Sequence, residues 1–393
     1  MRAPPRPLPS TPPWRDTRVL AVAAQVAVLA VVAVAAWLLV GELLSAMAAR
    51  GLSFVPGFLD TTAGFEIAET ALDYGPTDTY RQALLVGLAN TIMVSVVGVA
   101  LSTILGVLLG IARLSDNWLL SRLTAGYVEI FRNTPLLVQL LVLYFAVFLQ
   151  LPPVRESLAV GDLAFLNQRG ISLPRPLPGL SFGAFAAIVG AASVAAWALW
   201  WVARRRKREG RRSPGLRRLA LLLLVGAPTV AWISLTEAPI VLELPQLGTF
   251  NLRGGMSLSS ELAALLVALV LYTSAFIAEI VRGGIQAVPR GQREAALALG
   301  LSEGAVLRRV VLPQALRVIV PPLTSQYLNL IKNSSLAIAV GYPDLFNVST
   351  TIANQTGQPV AVIALVMVTY LILSLITAAI MGVVNRRAQL RER

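Results

Sequence analysis

The stretch EAALALGLSEGAVLRRVVLP, residues 294–313, is a polar, small-residue island between two long apolar runs. Arg290, Arg293, Arg308, Arg309 and Arg317 surround it, and Gly300 sits near its middle. Ala295, Ala296, Leu297 and Leu299 favour a helix, and Gly300 permits a sharp break after it. Val306, Leu307, Val310 and Val311 begin a second apolar run, and Pro313 suits a helix start. The pattern predicts a short helix, a turn and a second helix. On composition alone, such a unit serves either as a surface that docks another protein or as an amphipathic pair lying on lipid headgroups, drawn there by its arginines.

The runs flanking the island decide the fold class. The 393 residues are 56% hydrophobic and 13% charged, against about 25% charged in an ordinary soluble domain. An all-α polytopic membrane protein is expected. A span needs about 20 apolar residues to cross the hydrocarbon, and eight runs meet or approach this: 19–40, 83–112, 134–151, 183–203, 217–235, 259–281, 318–341 and 359–384. Four of them are imperfect. The second is long enough to tilt or protrude, 134–151 and 217–235 are short, and 318–341 carries Asn329, Lys332 and Asn333. The first run is too long for a signal-peptide core and lacks a small-residue cleavage site, so it is expected as a retained span.

Charge orients these spans. With both termini in the cytoplasm, 26 of the 33 basic residues fall in the inner segments 1–18, 113–132, 204–218, 282–317 and 385–393. That bias is the one that sets membrane topology, and it accounts for the net charge of +13 without a nucleic-acid partner. The run RRRKREGRR, residues 204–212, reads as a topology anchor beside anionic lipid. The outer loop 41–82 has room for a short helix, 152–182 is proline-rich, and 236–258 suits a short hairpin.

The chain has no cysteine and no histidine, which removes disulfides, thiolate or imidazole metal sites and every nucleophile–histidine arrangement. The two lysines, Lys207 and Lys332, lie in RRRKRE and LIKNSS, neither of which is a glycine-rich phosphate loop. No catalytic residue, metal site or bound cofactor is expected. Work driven by nucleotide hydrolysis requires another chain.

Polar side chains within spans are costly and tend to face a cavity or a partner. Asn329, Lys332, Asn333, Ser334 and Ser335 form such a group in TSQYLNLIKNSSLAIA. Asn329 and Asn333 share a helix face, with Lys332 beside it. The group suits a translocation path first, with hydrogen bonding between helices as the alternative. Glu279 precedes Arg282 by three residues, a spacing for a local ion pair; a coupling-proton carrier is the sharper alternative. Gly87, Gly98, Gly106 and Gly110 permit close helix packing, and Asn90, Thr91 and Ser95 can bond between spans.

The order and spacing of these segments resemble the permease subunits of ATP-binding-cassette importers for polar amino acids, of the histidine, glutamine and arginine type. Their hallmark is E-A-A, three residues, G, nine residues, then I-x-L-P. Here Glu294-Ala295-Ala296 is followed by Gly300 and, nine residues later, by Val310-Val311-Leu312-Pro313, with only Val310 departing from it. FRNTPLLVQLLVLYF (131–145), YTSAFIAEIVRGGIQAVPRGQ (272–292) and LPQALRVIVPPLTSQYLNLIKNSSLAIAVGYPDL (312–345) resemble the same branch in the same order. The likeness covers about 83–150 and 256–385. An extra first span and an insertion resemble the eight-span permeases of general L-amino-acid importers, including those for glutamate, glutamine, aspartate and asparagine.

The resemblance implies a type I ABC importer transmembrane domain with a cytoplasmic coupling helix, divided as 1–82, 83–150, an insertion at 151–255, 256–385 and a basic tail at 386–393. It implies that Glu294, Ala295, Ala296, Gly300, Leu312 and Pro313 belong to the ATPase-coupling unit. It also implies a pore drawing on the span containing Asn329 to Ser335. The implied partners are a cytoplasmic ATPase dimer carrying ATP and magnesium, a second homologous permease and a periplasmic amino-acid-binding protein, all at the bacterial inner membrane.

Overall fold

The computed structural model describes residues 17–49, 56–70, 72–161, 163–209, 213–248 and 252–389. Helix α1 (Thr17–Ala49) leads to α2 (Tyr80–Ala112) through a segment with a short 3₁₀ turn at Pro56–Asp60. Helix α2 starts where the sequence supplies a reciprocal cap. Thr79 accepts from the Gln82 amide, and the Gln82 side chain reaches back to the Thr79 amide, satisfying two donors the helix cannot use itself.

Helix α3 (Trp118–Asn133) and α4 (Leu136–Leu141) meet at a bend of 105°. Proline disfavours helical backbone at the residue before it, and Thr134, ahead of Pro135, is extended at φ −107°, ψ 137°. Helix α4 then continues through a π turn (Val142–Val147) and a 3₁₀ turn (Phe148–Gln150). The run expected to span at 134–151 is therefore the second limb of a broken element.

The insertion contributes strands on the outer side: β1 (Leu158–Val160), β2 (Ala164–Asn167), β3 (Gly170–Leu173) and β4 (Arg175–Pro178). A helical hairpin follows, α5 (Phe182–Arg208) and α6 (Pro214–Ser234), and then β5 (Ile240–Glu243), β6 (Gln246–Leu247), β7 (Leu252–Arg253) and β8 (Met256–Ser259). Strands β1, β2, β3 and β8 form one antiparallel sheet in that order, with Ile171 opposite Leu258. Strand β4 pairs β5, with Leu177 opposite Val241, and β6 pairs β7. The expected hairpin at 236–258 is thus only β6–β7, its flanking strands being used elsewhere. An all-α reading holds for the membrane part and misses this outer β layer.

Helix α7 (Ser260–Gln286) runs to the cytoplasmic side and is followed by α8 (Arg290–Ala298), α9 (Glu303–Val306) and α10 (Leu312–Asn333). A 3₁₀ turn (Ser334–Ala339) leads to α11 (Leu345–Thr356) and α12 (Pro359–Ala388). Among the described residues six helices are long and apolar enough to cross a membrane, or seven if the bent α3–α4 pair is one span. Helix α10 covers most of the expected run 318–341. It has 22 residues, but Pro321, Pro322, Arg317 and Lys332 interrupt its apolar character.

The packed centre joins α2, α4, α7 and α10 through Val94, Leu140, Leu265, Leu269 and Leu330. Toward the cytoplasm, Ile277, Val281, Ala315, Ile319 and Met381 close a second cluster. Helix α12 keeps Leu371, Leu375 and Ile380 exposed, as lipid-facing helices do. Glycine sets the spacing of α2 and α7. A Cβ added at Gly106 would lie 2.6 Å from Ile277, and one at Gly110 would lie 2.8 Å from the Ala278 carbonyl. We expect Gly106→Ala or Gly110→Ala to destabilise the solubilised protein by about 1–3 kcal/mol. Gly126→Ala, which adds a Cβ into open space within α3, is expected to cost nothing and to stabilise by up to about 1 kcal/mol, alanine being the better helix former. Thermal unfolding of the three variants checks this.

Candidate functional site

The island at 294–313 folds as the helix-turn-helix its composition predicts, and its turn has a defined geometry. Helix α8 ends at Ala298 with Leu299 as its C-cap, and Gly300 follows in the left-handed region at φ +80°. The Gly300 amide donates to the Leu297 carbonyl at 2.9 Å, and the Leu301 amide donates to the Ala296 carbonyl at 3.2 Å. These paired bonds are a Schellman cap, which favours glycine because a Cβ is strained at such φ. The accompanying apolar contact is present, with Leu301 packed on the cluster of Ala296, Val306 and Val311.

That cap sorts the residues of the loop. Ala296 faces inward and is buried. Glu294, Ala295 and Ala298 are exposed, and Leu299 stands 83% exposed at the tip. An apolar side chain so exposed at the end of a small-residue helix is suited to insertion into a groove of another protein. Arg293 and Glu303 tie the two limbs together across the base at 3.1 Å. Val311 is buried, Leu312 is exposed, and Pro313 is half-buried in the first turn of α10. A π turn at Leu307–Val311 joins α9 to α10, so the loop is continuous with a core helix.

The polar group in α10 is divided. Asn329 and Lys332 are exposed, Asn333 and Ser335 are half-buried, and Ser334 is fully buried. The Ser334 hydroxyl donates to the Ile331 carbonyl at 2.7 Å and that of Ser335 to the Lys332 carbonyl at 2.8 Å. Both hydroxyls thus serve the helix end. Asn329, Lys332 and Ser335 share a face at i, i+3 and i+6. Lys332 and Ser335 line a cavity of about 460 Å³ with Phe346, Tyr370 and Ser374.

Glu279 pairs with Arg282 as its spacing predicts, the Arg282 Nε lying 3.1 Å from Glu279 Oε2. It also pairs with Arg113 at the end of α2, so the carboxylate links two spans near the cytoplasmic face. Asn90 donates to the Glu69 and Pro343 carbonyls at 2.8 and 2.9 Å, and the Thr91 hydroxyl accepts from the Leu345 amide at 3.0 Å. Sequence reading missed Asp344, which is fully buried, caps α11 by accepting from the Asn347 amide at 2.8 Å and meets the Tyr370 hydroxyl at 3.3 Å. An aspartate directly before a helical run is the signal that marks it.

A family model described as "Binding-protein-dependent transport system inner membrane component" matches residues 102–390. The chain belongs to that family. It is a multi-pass permease of the inner membrane and not an enzyme, ATP hydrolysis belonging to a separate chain. The permease is 48% identical over 372 residues to the "Putative amino-acid ABC transporter permease protein YhdX" of Escherichia coli (strain K12), covering 93% of each chain. It is 44% identical to the "General L-amino acid transport system permease protein AapQ" of Rhizobium johnstonii, covering 86% of this chain and 84% of that one. It is 40% identical to the "Glutamate/glutamine/aspartate/asparagine transport system permease protein BztB" of Rhodobacter capsulatus, covering 96% of each. Among solved structures, the "Crystal structure of an amino acid ABC transporter with histidines" aligns with a TM-score of 0.47 at 20% identity, over 78% of this chain and 95% of that one.

The cap yields a local prediction. Gly300→Ala is expected to cost the turn about 1–2 kcal/mol, the penalty of a Cβ in the left-handed region. Gly300→Asn should cost less, because asparagine adopts that region more readily. Protease sensitivity of the 294–306 loop in solubilised protein distinguishes the two, with the alanine variant cut faster.

Proposed function

We propose that this permease is one of two membrane subunits of an ATP-driven importer that carries polar L-amino acids across the bacterial inner membrane. A second, homologous permease completes the path. A dimer of cytoplasmic ATPases, which binds ATP with magnesium, drives it, and an extracytoplasmic binding protein delivers the amino acid. The observation that carries the amino-acid assignment is the likeness to AapQ and BztB over nearly the whole chain.

Coupling works through the capped loop. Closure of the two ATPases pushes α8, and the push reaches α7 and α10 together because the loop lies between them. Those helices rock between inward-facing and outward-facing arrangements, a shear and hinge motion of packed elements. Glu294, Ala295, Ala296 and Gly300 form the docking helix and its turn, and Leu312 and Pro313 begin the lever. Asn329, Lys332, Asn333, Ser334 and Ser335 lie on the segment bordering the path. The exposed members Asn329 and Lys332 are the ones free to meet substrate or the second permease.

Deletion of 294–300, or Gly300→Asp, is expected to abolish uptake and co-purification of the ATPase while leaving membrane insertion intact. Uptake at the wild-type rate by either variant overturns the coupling assignment. Lys332→Ala and Asn333→Ala are expected to change uptake KM or selectivity at unchanged expression. Kinetics identical to wild type in both remove them from the path.

A further inference from the structure

At the outer end of the molecule lies a cavity of about 510 Å³ that neither the coupling loop nor the α10 face uses. Its size falls within the range of small-molecule sites, about 300–1,000 Å³. Four separate segments line it: the loop before α2, the β layer of the insertion, the first turn of α7 and the turn that follows α10. Charge of both signs faces it. Glu69 and Glu261 supply carboxylates, and Arg169, in the β2–β3 turn, supplies a guanidinium.

The hydrogen-bond inventory leaves this lining with unused capacity. Glu69 accepts from the Ser259 amide at 3.2 Å and from its hydroxyl at 2.7 Å, and Glu261 accepts from the Tyr144 hydroxyl at 2.9 Å and the Ser260 hydroxyl at 3.2 Å. A carboxylate has about four acceptor sites, so each keeps capacity for a cation. Among the described residues Arg169 forms no ion pair, the pairs being Arg81–Asp60, Arg113–Glu279, Arg282–Glu279 and Arg293–Glu303. Tyr342, also in the lining, is fully buried and packs beneath the cavity.

We propose that this cavity is an outer holding site for a free zwitterionic α-amino acid, with Glu69 and Glu261 taking its ammonium and Arg169 its carboxylate. The site receives the amino acid before it enters the membrane path. It gives the β layer of the insertion a task, since Arg169 comes from that layer. The inference rests on the amino-acid importer reading. It deepens that reading by placing one binding step on the permease outside the spans.

The test uses the complete membrane complex, purified with its ATPase and without binding protein, and measures equilibrium binding of radiolabelled L-glutamine. Wild type is expected to bind, Arg169→Ala to bind at least tenfold more weakly, and Arg169→Lys to fall between them. Arg175→Ala, an exposed arginine of the same β layer outside the cavity lining, should bind as wild type does. The amine that lacks the α-carboxylate is expected not to compete. Arg169 is exposed, so its variants are expected to fold, and elution profile and ATPase content check this. Equal binding by wild type and Arg169→Ala overturns the site, as does absence of binding to the wild-type complex. A loss confined to docking of the binding protein, with glutamine binding intact, overturns it in favour of a protein-docking surface. ATP-dependent uptake by the same preparation with its binding protein separates the two levels. Uptake without an Arg169 effect sinks the holding site alone, and absence of amino-acid uptake sinks the importer reading.

Discussion

Backbone-close packing of α7 against its two neighbours is the constraint on which the rest of this permease depends. Lipid offers no hydrophobic drive for one helix to prefer another, so association rests on van der Waals fit and on hydrogen bonds. Gly106 and Gly110 let α2 approach the middle and lower part of α7, and at Gly284 the Ile319 side chain of α10 occupies the space a Cβ would need, 2.3 Å from its position. The Arg113–Glu279–Arg282 group fastens the same region electrostatically. A helix held so tightly on two sides moves with its neighbours.

That rigidity gives the cytoplasmic loop its mechanical meaning. Helix α8 is too short to be stable alone, since isolated helices under about 12 residues are marginal in water. It holds its shape through the Gly300 cap, the buried Ala296 and the Arg293–Glu303 tie. The loop combines a shape fixed from beneath with a small-residue outer surface ending in exposed Leu299. The continuous turn at Leu307–Val311 joins that tip to α10.

Much of this was legible in the sequence because its signals are local. The spacing from Glu294 to Gly300 to Pro313 encodes the cap and the helix start, and the arginine distribution encodes which side of the membrane holds them. Glu279 and Arg282 declared their pair by helical spacing. What remained hidden was non-local. Arg113 reaches Glu279 from 166 positions away. The 105° break between α3 and α4 was signalled by Pro135, yet the apolar run masked it. Strand pairing between β3 and β8 joins segments on opposite sides of the α5–α6 hairpin, and no short-range pattern announces it. The α10 group divides because Ser334 and Ser335 bond to their own helix end, a choice that side-chain type alone does not reveal.

The coupling claim is tested most directly by cross-linking at the tip of α8. The chain contains no cysteine, so Leu299→Cys introduces a single thiol at an exposed position. Paired with single cysteines in the ATPase, it is measured in the assembled complex with and without ATP. The account predicts efficient disulfide formation with a cleft on the ATPase surface, and a yield that changes when ATP closes the dimer. Absence of cross-linking at Leu299 alongside intact ATP-driven uptake would contradict it.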